Sequence, residues 1–556
     1  MSYFSTGLFS LMSAQSGAAM SPSPLGSARP ISRRDMLRYT GMAGTAAAFA
    51  AALAACGGPA STNKTGDAAG SITAVLGYGN NQTWDPLQTA SAFSMAAILH
   101  SYESLVEGDP ISREPYPGLA KALPADLSGT SLKFELRDGA TWHDGRPVTA
   151  DDVVFTYARV LSPSENVLVH SFFAHWLADV RKVDERSVEF VLKFPFPYAL
   201  QRIQSAKIAP KHVFDGKWAD AAAGKVVGSG PYRVTEQAPL SHTRFERFDA
   251  YNGPTPAVYK SMLWKSIVDA APRVAAISGA APDAQVVENI PAANADQLRA
   301  AGRTVEFADG GNNLFLLFNT AHAPFGDKLV RQALHYAIDG KKMVEIGLKG
   351  AGTPATSFIN PKLPSSQPAA LDFAYDPGKA KALLQQAGVS GLTVTLSTTN
   401  TSLVADCVKV IKEGWDAIGV ATTLDSQDTK ALFSKLDSGN DFHVVATTNN
   451  PLQFGNDPDL LTRYYYSEQS ILTTKYARWT NADSQALLQL QDAAAAEPDA
   501  TKRAALTKQL MDMIADQAVV YPVVFTQLGT AWDPKAISGV RAQGYPGICL
   551  NRVAVV

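Results

Sequence analysis

The sequence predicts a mixed α/β protein, on three observations. Short stretches alternate apolar and polar residues, as Leu132-Lys133-Phe134-Glu135-Leu136 does. One run, Leu314-Phe315-Leu316-Leu317-Phe318, is apolar throughout. Capped helical stripes separate such stretches along the chain, which is the pattern of helices packed on sheets.

Taken in order, residues 132–136 form a half-buried strand that runs into an Asp138-Gly139 turn. Thr149-Ala150-Asp151-Asp152 opens a helix: Thr149 caps the free amides and the two carboxylates favour the positive end of the helix. Val153, Val154, Tyr157, Ala158 and Leu161 give that helix its inner face. Residues 188–192 form another strand. Residues 314–318 read as a central strand, followed by a loop over 319–326. A helix comes next, whose buried stripe is Leu329, Val330, Ala333, Leu334, Ala337 and Ile338. Asp376-Pro377 starts a further helix, with Asp as cap and Pro in the first turn, and Gly388 ends it. Residues 484–518 read as two helices parted near Glu497-Pro498-Asp499.

Residues 1–55 carry an address. Ser32-Arg33-Arg34-Asp35-Met36-Leu37 precedes an Ala-rich apolar region and resembles a twin-arginine export motif, a Sec-type signal being the other reading. The apolar region is too short for a membrane span, which needs roughly 20 residues. Leu53-Ala54-Ala55-Cys56 matches a lipobox, so Cys56 is expected to take a lipid and tether the chain to the bacterial envelope, on its periplasmic or cell-surface side. Residues 56–70 then read as a lipidated flexible linker. The true start is Met1, Met12 or Met20.

The chain has 556 residues with 49 Lys+Arg and 51 Asp+Glu, a net charge of −2. Residues 1–55 hold four arginines and one aspartate, so the remaining 501 residues carry about −5 and suffice for two or three domains. A mildly acidic chain without basic runs argues against nucleic-acid binding. No Cys-x-x-Cys or His-x-x-x-His pattern suggests a metal site, and no cofactor is expected. Cys407 lies in the helical stripe Val404, Cys407, Val408, Ile411, Trp415 and reads as a core residue, with a Cys407–Cys549 disulfide left open.

Five blocks in order carry a resemblance. Residues 136–155 contain Leu136-Arg137-Asp138-Gly139, Thr141-Trp142-His143-Asp144-Gly145 and Asp151-Asp152-Val153-Val154-Phe155. Gly228-Ser229-Gly230-Pro231-Tyr232 is the second. The third joins Phe318-Asn319-Thr320, Pro324-Phe325 and Val330-Arg331-Gln332-Ala333-Leu334. Tyr375-Asp376-Pro377-Gly378-Lys379 and Asp457-Pro458-Asp459 complete the set. Together they resemble the extracytoplasmic solute-binding proteins of bacterial ABC importers, in the large family 5 group that contains dipeptide- and oligopeptide-binding proteins.

The resemblance implies a two-lobed periplasmic-binding-protein fold with a hinge, an extra subdomain and a ligand cleft between the lobes. It places lobe I at 71–312 and 523–556, with the subdomain at about 103–224, and lobe II at 313–522. It implies capture of peptides or similar small solutes by a monomer that works with separate permease and ATPase subunits. Two alternatives are a non-peptide solute, glycoside or opine-like, in the same transport role, and an envelope sensor or chaperone-like protein on the same fold. No enzymatic activity is expected. The Gly-x-x-x-x-Gly-Lys loop is absent, and Gly228-Ser229-Gly230 lacks the outer glycine of a nucleophile elbow because position 227 is Val. His143, Asp151 and Asp152 read as structural.

The chain departs from the family at one place. Many peptide-binding members hold the ligand's α-amino group with an Asp three residues before the Asp-Pro pair. Here that position is Phe454, and residues 447–456 contain no carboxylate. Asn449, Asn450, Gln453, Phe454 and Asp457 are candidate ligand-binding residues, the amides and ring suiting uncharged polar groups. Tyr78, Asn80 and Trp84 follow the first strand, in a segment that enters the cleft in relatives. Tyr464-Tyr465-Tyr466 either lines the cleft or packs on a strand.

Overall fold

The computed structural model describes residues 69–551, apart from 80–82, 90, 166 and 440–441, together with 554–555. The export signal with Arg33 and Arg34, the lipobox Cys56, nearly all of the linker, and Asn80 lie outside the described residues.

β1 (Ala69–Leu76) is followed by two smaller sheets. β2 (Val106–Gly108) and β3 (Pro115–Pro117) form an antiparallel hairpin. β4 (Ser131–Glu135), β5 (Leu177–Lys182) and β6 (Ser187–Leu192) form a sheet ordered β4-β6-β5. β4 keeps the expected alternation: Leu132 and Phe134 are buried and their neighbours exposed. The helix Ala150–Leu161 packs on β5 and β6. Its start is a capping box in which the Asp152 carboxylate accepts from the Thr149 amide at 2.9 Å and hydroxyl at 3.0 Å.

The buried face of this helix differs from the expected one. Asp152, Val153, Thr156, Tyr157 and Val160 point inward, and Ala158 is exposed. The stripe is rotated because two polar side chains are bonded inside: Lys211 N–H donates to Asp152 at 2.8 Å and Ala209 N–H to Thr156 at 3.0 Å. A satisfied polar group can sit in a core that an apolar count assigns to alanine.

The chain then returns to the first large sheet. It adds β7 (Tyr232–Ala238), β8 (His242–Arg247), β9 (Tyr259–Ser266), β10 (Val286–Glu288) and β11 (Thr304–Ala308). The second large sheet follows: β12 (Asn313–Phe318), β13 (Gly352–Pro354), β14 (Thr393–Thr399), β15 (Ala421–Gln427), β16 (Val444–Asn449) and β17 (Val520–Thr526). β18 (Leu528–Trp532) closes the first sheet, whose order is β11-β18-β10-β1-β9-β8-β7. The second is ordered β13-β17-β12-β16-β14-β15. β12 is an interior strand with all six residues buried, as its continuous apolar run requires.

The chain passes between the two sheets twice, at 309–312 and at Gln527. The second pass lies beyond the 522/523 boundary expected from the sequence. The run 519–525 stays in the second sheet because β17 pairs antiparallel with β12 along its length.

Helix caps follow the sequence. Asp376 accepts from Lys379 N–H at 2.8 Å, and Gly388 takes the left-handed conformation (φ +68°) just past the helix Pro377–Gln386. The helices Ala482–Ala496 and Ala500–Gln517 part where expected, with Asp499 capping the second. Cys407 is a buried free thiol packed against Gly347, so no Cys407–Cys549 bridge forms.

Candidate functional site

In open α/β sheets, ligands bind beyond the carboxyl ends of parallel strands. β14, β15 and β16 are parallel, as are β1, β9 and β10. The two passes leave from these ends: residues 309–312 precede Asn313, which pairs with Asn449 at the end of β16, and Gln527 follows the end of β17. The passes are tied together by Thr526 N–H donating to Asn312 O at 2.8 Å and Gln527 Nε2 to Asp309 Oδ1 at 3.0 Å.

The edge of the second sheet is built from amides and phenols. The Tyr464 hydroxyl donates to Asn449 Oδ1 at 2.9 Å, and Asn313 Nδ2 donates to the Tyr465 oxygen at 3.0 Å. Asn450 Oδ1 accepts from Leu452 N–H at 3.2 Å, capping the turn Pro451–Gln453, while its Nδ2 is buried without a partner. Gln453 is half-buried on that turn. Phe454 is buried, its ring 5.1 Å from that of Phe172 and 6.2 Å from that of Tyr464. The three tyrosines follow the helix Pro458–Arg463 rather than a strand, and all are buried. Tyr466 reaches β17, where its hydroxyl donates to Val520 O at 2.6 Å.

On the first sheet, the Tyr78 hydroxyl donates to Glu288 Oε1 at 2.9 Å, joining the ends of β1 and β10. Gly547 N–H donates to the same oxygen at 3.3 Å, and Oε2 has no partner. Burial raises the Glu288 carboxyl to about 7, against the bonds from Tyr78 and Gly547 that favour its charge. Trp84 is buried in the hydrophobic core that also holds Trp264.

Asp457 lies inside an ion cluster. Arg202 grips it with Nε–Oδ2 and Nη2–Oδ1 contacts of 2.9 Å each, and Asp457 Oδ1 also caps the helix Pro458–Arg463 through Leu460 N–H at 2.8 Å. Arg202 Nη2 reaches Asp459 at 2.6 Å as well, and Arg463 holds the other Asp459 oxygen at 2.6 Å. Burial acts to raise the Asp459 carboxyl, but Arg463, His175 and Arg202 outweigh it and hold it far below the usual carboxylate range. Burial lowers His175 although Asp459 acts to raise it, and its Nε2 contacts Asp459 at 3.1 Å. Both carboxylates of the Asp457-Pro458-Asp459 motif are therefore occupied by protein groups.

The other motifs clasp one another. His143 Nε2 contacts Gly230 O at 2.9 Å, and Gly228 N–H donates to His143 Nδ1 at 3.2 Å. Burial lowers this ring to about 4, keeping it neutral. A Cβ on Gly228 would stand 1.7 Å from Ser101 O, so only glycine permits this approach. Asp151 pairs with Lys182 at 2.8 Å on the surface. Among the described residues, no three His, Cys, Asp or Glu side chains gather as metal ligands, and no helix is long and apolar enough to cross a membrane.

Of the residues singled out from the sequence, Asn449, Asn450, Gln453 and Phe454 share one edge, and Tyr78 sits on the opposing one. Sequence reasoning missed Glu288, Asn313 and Arg202. Asn313 had a signal, a polar residue opening an otherwise apolar strand. Glu288 and Arg202 had none, since their partners lie 210 and 255 residues away.

The model of the bacterial extracellular solute-binding proteins, family 5, matches residues 114–471. The dipeptide-binding protein of Escherichia coli K12 is 27% identical over 491 residues, covering 82% of this chain and 89% of that protein. Heme-binding protein A of Haemophilus influenzae is 27% identical over 526 residues, covering 86% and 92%. Among solved structures, the binding protein AgaA of A. tumefaciens R10, in complex with agropinic acid, superposes with a TM-score of 0.74 at 22% identity, covering 88% of this chain and 99% of that one.

Proposed function

This chain belongs to the bacterial extracellular solute-binding proteins of family 5, and we propose that it captures a peptide or similar small solute between its two large sheets for delivery to the permease of an ABC importer. One observation carries the reading: two strand edges joined by two short passes, at 309–312 and Gln527. Two bodies connected this way can rotate about the passes, and a solute touching both edges binds the closed arrangement better. In this reading 71–102, 225–312 and the chain from 528 form one lobe, 103–224 rides on it, and 313–526 forms the other. Asn449, Asn450 and Gln453 offer hydrogen bonds to the solute. The name of the E. coli relative favours a peptide.

A second reading is a non-peptide solute, glycoside or opine-like. It is favoured by the absence of a carboxylate in 447–456 and by the occupation of Asp457 and Asp459 by arginines. Native mass spectrometry on protein taken from its own envelope, followed by denaturation, is expected to release a peptide mixture. A single sugar or opine-like mass would replace the first reading by the second. Absence of any bound mass, with no thermal shift across peptides, sugars and opines, would sink both, because a ligand that binds only the folded state must raise the melting temperature.

The reading includes envelope attachment through Cys56 and export directed by Arg33 and Arg34. Cys56→Ala is expected to move the protein from the membrane fraction to the soluble one. Unchanged membrane attachment would refute the lipobox.

A further inference from the structure

We propose that Arg202 is the clasp of the closed cleft: fixed to the first sheet through the subdomain, it grips Asp457 and Asp459 of the second lobe, and opening must break this grip. The inference rests on the two-lobe reading above and names what holds those lobes shut.

The subdomain is bound to the first lobe by its own side chains. Arg159 pairs with Asp85 at 2.7 Å, Arg137 Nε donates to Asn252 at 3.0 Å, and His143 meets Gly230 O at 2.9 Å. The subdomain therefore moves with the first sheet. Its opposite side meets the second lobe through Arg202 and His175 on the two aspartates, the Phe172 ring on Phe454, and Arg113 Nη2 on Leu452 O at 3.1 Å. Arg503 also lies over the Tyr198 ring at 5.6 Å. No chain passes directly between the subdomain and the second lobe, so side-chain contacts such as these join them.

Arg202 is the strongest of these contacts. It is 1% exposed and makes four hydrogen bonds: two to Asp457, one to Asp459 and one, from Nη1, to Phe172 O at 2.9 Å. The carbonyl bond comes from the subdomain itself and aims the guanidinium fork before closure. The second lobe prepares its half in the same way. Asp457 is held as a helix cap and Asp459 by Arg463, so both carboxylates stand ready without Arg202. Two prepared halves lose little side-chain freedom on meeting, and the closed pair is dry and weakly screened by salt. Removing one side leaves buried charge without a counter-ion, and opening, which rehydrates that charge, is the cheapest relief. The protein's own cation thus answers the carboxylates of the 457–459 motif, so closure requires no cationic group on the solute there.

The test needs no ligand. Spin labels at the exposed Val183 on the subdomain and the exposed Tyr375 on the second lobe report the opening by electron–electron resonance, with Cys56 and Cys549 replaced by serine. The wild-type distribution is expected to be dominated by the short distance. Arg202→Met is expected to raise the open-to-closed ratio by about a hundredfold, and Asp459→Asn to raise it by a smaller factor. Arg202→Lys, a single point charge, should fall between wild type and Met. If Arg202→Met does not fold, as judged by near-UV dichroism, Asp459→Asn decides alone. Variant distributions superimposable on wild type overturn the clasp, as does a wild type found only at the long distance. A solute from the ligand panel that shortens the distance while Arg202 has no effect would refute the clasp and leave the two-lobe reading intact. A single distance unmoved by any variant or solute would refute both.

Discussion

Glu288→Gln is expected to stabilise the protein by about 3 kcal/mol at pH 8 and to change its stability little at pH 4. Glu288 is 2% exposed between the ends of β1 and β10, and burial raises its carboxyl from 4.5 to about 7. Its folded value is above its unfolded value, so the folded state holds the proton more tightly. Stability from this group is full below pH 4.5 and is lost as pH rises to 7. Glutamine copies the neutral form, so its advantage appears only where glutamate would ionise. The bonds from Tyr78 and Gly547 go to one oxygen and survive the substitution.

His100, His143 and His335 act in the opposite sense. Burial lowers His100 and His143 to about 4 and His335, beside Arg331, to about 3. Their folded values are below 6.5, so their stability is present above pH 6.5 and lost as pH falls. Together they remove about 7 kcal/mol between pH 6.5 and 4.5, and Glu288 returns about 2 over the same interval. Urea denaturation across pH should therefore show an acid slope for wild type and a steeper one for Glu288→Gln. Parallel curves would mean that Glu288 binds its proton no more tightly folded than unfolded.

Much of the fold was legible because it is written in local pattern. The cap Asp376, the glycine end at 388, the helix break near 497–499 and the apolar strand at 314–318 each depend on neighbours within a few residues. The misjudged face of the helix Ala150–Leu161 shows where this stops: Thr156 is inside because the amide of Ala209, 53 residues on, donates to it. β17 and β18 adjoin across Gln527, and their apolar run does not say which sheet each strand joins. Of the candidate site, the amide-rich turn at 449–453 was visible as composition. That Phe454 is sealed between Phe172 and Tyr464, and Asp457 locked by Arg202, depends on contacts between distant segments that no spacing rule encodes.

Arg331→Met is expected to destabilise the protein by about 3–5 kcal/mol. Arg331 lies in the Val330-Arg331-Gln332-Ala333 block and is 1% exposed. Its guanidinium donates to Gln517 O at 2.7 Å, Phe325 O at 2.7 Å and Gly326 O at 3.0 Å. Gln517 ends the helix Ala500–Gln517, where unpaired carbonyls gather partial negative charge, and Ala518 beyond it turns left-handed. The loop carbonyls of Phe325 and Gly326 likewise face inward. One cation therefore bonds the carbonyls of two chain segments at once, at the cost of burial, which lowers its pKa to about 10. Methionine fills much of the volume but donates nothing, leaving three carbonyls dry, each costing about 1–3 kcal/mol before relaxation. Lysine, with one donor centre, should recover only part of the loss. Chemical denaturation measures both variants; a loss below about 1 kcal/mol for methionine, within the range of an ordinary substitution, would mean that water or neighbouring amides reach these carbonyls and that Arg331 is not what joins the segments.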